Sequence, residues 1–325
     1  MVMILNKYKI LFSFLFFSGG FFACNEMNCS ASQYPSEKNT PLIYPKPSFK
    51  TDTSYFAMYR NRGVQVKIIL PEKELKGMIL LLPGWNLPDV DWSNKTSVCS
   101  KALSKNFGLV FVEMGKSVYM DSLYPSMRKD YLFYPTRTWL WDTVITPLQK
   151  YGWFIKGSHS FALGLSTGAR GAVLLGLEHS ECFEAVSGLS GDYNPLLDTK
   201  DGLMVNTLGA YEKNAFRWKG SNNISLRANE FKVNLFLAHG ENDQIVPIAQ
   251  SKDLWNRISK QAVTVKQTDY RKIKKAVSYQ STTYISKGKT YQLKLVTVKE
   301  ANHDYQFWDF AGNLAIDYFN QLVVK

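Results

Sequence analysis

Residues 161–181 read FALGLSTGARGAVLLGLEHSE. An apolar run of strand length, Phe161 to Leu165, passes through Gly164-Leu165-Ser166-Thr167-Gly168 into the small and apolar residues from Ala169 to His179. This pattern predicts a buried strand, a tight turn with serine at its apex, and a helix folded back onto the strand. Glycine on each side of the turn removes the Cβ atoms where strand and helix crowd, so Ser166 can be held in a strained conformation. The pattern G-x-S-x-G is common by chance, so its meaning depends on the rest of the chain.

The rest repeats the same unit. Val64–Leu70, Met78–Leu82, Leu109–Val112, Val233–Ala238 and Leu293–Val298 read as strands, and Ala185-Val186 leads into a turn at Ser190-Gly191. Thr96–Lys105, Trp139–Tyr151, Ile248–Lys260 and Phe307–Leu322 read as helices, with Pro147 an interruption in the second. Strands alternating with helices imply an α/β fold, with a mostly parallel central sheet and helices on both faces. The expected domain spans 53–325, with insertions at 116–137, 192–228 and 262–290.

The N-terminus reads as a targeting segment. Lys7 and Lys9 precede the apolar run Ile10–Phe17, which continues to Ala23-Cys24. A charged start, a short apolar stretch and a small residue before the cut are the marks of a signal peptide over 1–23. The stretch is too short for a comfortable spanning helix. Phe21-Phe22-Ala23-Cys24 resembles the lipobox of bacterial lipoproteins, which makes Cys24 a candidate lipid anchor; an ordinary cleaved signal is the alternative. Residues 24–52, rich in Ser, Asn, Pro and Lys, read as a flexible tether. The expectation is an exported protein of the cell envelope, lipid-anchored or secreted.

The chain has 325 residues and a formal net charge of +12. The lysines are scattered apart from one cluster at 270–275, and no nucleic-acid-binding motif is present. Excess positive charge of this kind suits an anionic membrane or polysaccharide surface. Of the four cysteines, only Cys99 and Cys182 fall in the expected domain. With no C-x-x-C and no His/Cys cluster, no metal site and no cofactor is expected.

A serine nucleophile needs a base, and the base an orienting carboxylate. The four histidines are His159, His179, His239 and His303. His303 follows the last strand and is the candidate base. His179 closes a helix, where a cation suits the dipole, and His239 reads as structural. "HGENDQIVP" offers Glu241 and Asp243 in a loop after a strand. An oxyanion also needs donors. The Thr167 N–H follows the nucleophile, and the loop Pro83-Gly84-Trp85-Asn86 offers the Trp85 N–H, unless it is an ordinary Pro-Gly turn.

The stretches "GLSTGARGAVLLGLEHSECFEAVSGLSG", "HGENDQIVP" and "NHDYQFW" resemble the α/β-hydrolase superfamily. Within it the chain is similar to the esterase D-like group, which includes S-formylglutathione hydrolases, feruloyl and other carbohydrate-ester esterases, and mycolyltransferases. The resemblance covers roughly residues 64–325. It implies a chain order of Ser166, then the acid, then His303, and its G-x-x-D pattern favours Asp243 over Glu241. It implies a serine carboxylesterase working through an acyl-enzyme on a small-molecule or carbohydrate ester. An acyltransferase with the same triad and a non-catalytic binding protein on this fold are the alternatives. It also places Cys99 and Cys182 on opposite faces of the sheet, against a disulfide between them. The aromatic stretch from Tyr119 to Trp141 either walls the substrate pocket or packs in the core.

Overall fold

The structure, a computed structural model, describes residues 52–260, 277–286 and 288–323. The expected signal peptide, the Cys24 anchor, nearly all of the tether and the basic cluster at 270–275 lie outside the described residues. Among the described residues, no helix is long and apolar enough to cross a membrane.

Nine strands form one sheet in the order β1-β2-β4-β3-β5-β6-β7-β9-β8 among the described residues. They are β1 (Asp52–Tyr59), β2 (Arg62–Ile69), β3 (Gly77–Leu82), β4 (Phe107–Val112), β5 (Ser160–Leu165), β6 (Ala185–Leu189), β7 (Asn234–Gly240), β8 (Val277–Ser286) and β9 (Lys289–Val298). The six strands from β4 to β9 pair in parallel. β1 and β2 close one end antiparallel, and β8 closes the other. The parallel strands are continuous apolar runs because both faces are covered.

Two cores flank the sheet. Met78, Leu80 and Leu82 of β3 point into one and Ile79 and Leu81 into the other, as the twofold alternation of a strand requires. The helices, in chain order, are α1 (Asp91–Asn94), α2 (Val98–Ser104), α3 (Arg137–Trp139), α4 (Thr146–Gln149), α5 (Thr167–Glu178), α6 (Gly202–Leu208), α7 (Tyr211–Trp218), α8 (Ala249–Ser259) and α9 (Tyr305–Val323). Val173, Leu174, Leu175 and Leu177 of α5 and Leu254, Trp255 and Ile258 of α8 fill the first core, and α2 and α9 cover the second. Cys99 lies in the second core and Cys182 in the first, and no disulfide joins them.

The structure departs from the sequence-based expectations in three places. The span 262–290 is not wholly an insertion, since Val277–Ser286 forms β8 and hydrogen-bonds along β9. Residues 137–149 are helical but pass through a π-helical turn over Leu140–Ile145. Pro147 has no N–H to offer the Thr143 carbonyl and its ring crowds it, so the turn widens. His179 is not the cationic helix end expected. It stacks flat on Trp141, centroids 3.4 Å apart, and burial pushes its pKa down, favouring the neutral ring.

The insertions at 116–137 and 192–228 meet each other. Val118 and Met120 of the first pack with Met204, Leu208 and Trp218 of the second in a small apolar cluster, and Trp85 rests against it.

Candidate active site

β5 delivers Ser166 to the turn before α5. Ser166 has φ 54° and ψ −124°, a conformation an L-residue adopts only under constraint. The constraint is visible around it. The Ser166 N–H donates to the Leu189 carbonyl of β6 at 2.8 Å. A Cβ on Gly164 would run into the Gly168 carbonyl, and one on Gly168 into the Leu82 and Pro83 carbonyls. The glycine spacing therefore records the close approach of β5, α5 and the end of β3.

Ser166 Oγ lies 3.0 Å from His303 Nε2, and His303 Nδ1 lies 2.7 Å from Asp243 Oδ2. A carboxylate only accepts, so Nδ1 carries the proton and Nε2 of the neutral ring accepts from the serine hydroxyl. His303 is mostly buried and meets the edge of Trp308 at 4.9 Å, and Trp308 Nε1–H donates to Ser190 Oγ at 3.3 Å. Glu241 accepts instead from the Thr297 hydroxyl at 2.8 Å.

Asp243 is held from several sides. Oδ1 accepts from the Ile245 and Val246 N–H groups at 3.0 and 2.8 Å. The buried His239 places Nε2 3.4 Å from Oδ2, donates from it to the Val246 carbonyl at 2.8 Å, and meets Ser251 Oγ with Nδ1 at 2.7 Å. Burial alone would raise the Asp243 pKa. The close His239 ring, the hydrogen bond from His303, the charge His303 can take and the Val246 N–H outweigh it and hold the carboxyl well below the ordinary range. His239 is thus structural, as its sequence context suggests, but its structural task is the acid itself. The H-G-x-x-D spacing was the sequence signal for that contact.

Gly84 backs onto the nucleophile, since a Cβ there would sit 3.0 Å from Ser166 Cβ. The Trp85 N–H beside it and the Thr167 N–H at the start of α5 make no hydrogen bond to the described residues. The structure therefore brings five sequence candidates to one place: Ser166, Asp243, His303, Trp85 and Thr167. No three His, Cys, Asp or Glu side chains gather as a metal site among the described residues. A surface cleft of about 560 Å³ between Ser225–Glu230 and α8 contains none of the five.

No family model matches the chain, and no curated protein sequence matches it. Solved structures do. MPT51 of Mycobacterium tuberculosis superposes with a TM-score of 0.60 at 13% identity, over 85% of this chain and 100% of that one. A substrate-bound fluorophosphonate-binding serine hydrolase of Staphylococcus aureus gives 0.58 at 16% identity, over 83% and 97%. An S-formylglutathione hydrolase of Agrobacterium tumefaciens gives 0.59 at 12% identity, over 84% and 94%. With its mostly parallel sheet, helices on both faces and this extent of superposition, the chain has the α/β-hydrolase fold.

Proposed function

We propose that this protein is a serine carboxylesterase acting through a Ser166–His303–Asp243 triad. The observation that carries the reading is the unbroken hydrogen-bonded chain from Ser166 Oγ through the imidazole to a buried carboxylate, with the serine on a strained turn. In the first step His303 Nε2 takes the serine proton as Oγ attacks the ester carbonyl carbon. The Trp85 and Thr167 N–H groups receive the oxyanion. Collapse expels the alcohol, which takes the proton from His303 and leaves an acyl-serine. Water, deprotonated by the same imidazole, then releases the acid and restores Oγ–H. Serine hydrolases and a ferulic acid esterase among the similar structures are in keeping with this chemistry. The substrate class is a small-molecule or carbohydrate ester.

The test is turnover of a short-chain nitrophenyl ester and stoichiometric labelling by a fluorophosphonate. Wild type should do both and Ser166→Ala neither. Labelling at another serine overturns the assignment.

The reading extends to location. Lys7, Lys9, the apolar run and Ala23-Cys24 support export to the cell envelope with Cys24 acylated. One acyl chain holds a protein to a membrane only marginally, so stable anchoring requires several. Mass spectrometry of the native protein should find an acylated Cys24 as the first residue; a free N-terminus elsewhere sinks the proposal.

A further inference from the structure

We infer that Tyr119 is a positioning residue for the oxyanion site, its phenol fixing the loop that presents the Trp85 N–H to Ser166. The inference rests on the esterase reading above.

The loop after β3 is held by the segment after β4 at two points. The Tyr119 hydroxyl donates to the Pro83 carbonyl at 2.8 Å, and the Asn86 N–H donates to the Gly115 carbonyl at 2.9 Å. Between them the Leu87 N–H donates to the Gly84 carbonyl at 3.2 Å. In a planar trans peptide the C=O and N–H point in opposite directions, so a Gly84 carbonyl turned to the Leu87 N–H leaves the Trp85 N–H pointing away from Leu87. Among the described residues, Tyr119 is the one side chain hydrogen-bonded to the preceding Pro83–Gly84 peptide. Without that bond, the Pro83–Gly84 peptide is free to turn and the Trp85 N–H to drift from Ser166.

Tyr119 is itself built into place. It is buried, with φ 54°, an uncommon value for a bulky residue. Its ring lies against α5 where Gly171 leaves room, and a Cβ on Gly171 would strike it. Its carbonyl accepts from Arg137 Nη1 at 2.6 Å and its N–H donates to Ser117 Oγ at 3.1 Å. Burial pushes the phenol well above its usual pKa, so it remains a donor throughout the working range. A buried tyrosine needs only some acceptor for its hydroxyl. Here the backbone accepts strain, and the hydroxyl meets a carbonyl one residue from Gly84, where an added Cβ would crowd the nucleophile.

The test compares full-length wild type and Tyr119→Phe, which keeps the ring over Gly171. Three quantities are read: kcat and KM on a nitrophenyl ester, fluorophosphonate labelling of Ser166, and inhibition by a trifluoromethyl ketone that forms a tetrahedral adduct. Removing an oxyanion donor typically costs about 100- to 1000-fold, so loosening one should lower kcat by about 10- to 100-fold. KM should stay within about twofold, and the ketone should weaken by the same factor as kcat. A structural role alone would not couple those two quantities. Should Tyr119→Phe fail to fold, 3-fluorotyrosine at position 119 keeps the ring and strengthens the donor. It should change kcat and ketone affinity together at constant KM. Unchanged kcat and ketone affinity in the variant overturns the inference and leaves the esterase reading standing. A wild type that neither turns over ester nor is labelled at Ser166 overturns both.

Discussion

Asp243 concentrates the electrostatics of the site. Its carboxyl is buried, is met by His303, His239 and two N–H groups, and is held below the ordinary carboxylate pKa. A carboxyl with a depressed folded-state pKa stabilises the fold fully above its unfolded value, about 3.9. That contribution is lost as pH falls from there toward the lower folded value. Asp243→Asn removes it at every pH. The gap in melting temperature between wild type and Asp243→Asn should therefore be widest near neutrality and shrink below about pH 4. A gap constant down to the acid limit of folding contradicts the picture. At neutral pH the same variant should lose turnover by about 10⁴-fold, because the asparagine amide no longer fixes the productive imidazole tautomer.

Elements differ in how much of themselves they write into local sequence. β5, the turn and α5 are legible because three constraints coincide there: an apolar run, glycines at crowded positions and a helical run of small residues. The other parallel strands show for the same reason, being buried on both faces. β8 does not show, because an edge strand packs on one side only, and VSYQSTTYIS tolerates Ser, Thr and Gln. β1 was likewise hidden, its alternation leaving Phe56 and Met58 exposed. The π-helical turn at 140–145 follows from Pro147, but the proline announces only an interruption, and its neighbours decide between a break and a widened turn.

At the scale of the molecule, Arg137 joins parts distant in sequence. It is buried, forks onto both Glu178 oxygens at 2.7 Å at the end of α5, holds the Tyr119 carbonyl and reaches Asn222 Oδ1 at 3.1 Å. Both insertions are thereby tied to the helix that begins at the nucleophile. Arg137→Met should lower unfolding stability by about 2–4 kcal/mol in urea titrations. That is less than the full cost of orphaning a buried charge, because Glu178 is partly exposed and keeps Arg227 at 3.1 Å. A loss below about 1 kcal/mol would show that the insertions dock without this tie. The sequence alone determined the alternation of strands and helices and the strained serine turn, since both are written in local periodicity and spacing; the order Ser166, Asp243, His303 came from the family resemblance that its motifs carry. The tertiary structure alone decided that a histidine 137 residues from the serine and 60 from the aspartate stands between them. It alone decided that Trp308 backs the imidazole and that Tyr119 braces the Pro83 loop. Those contacts depend on packing and hydrogen bonds across distant segments, and neither leaves a periodic trace in the chain.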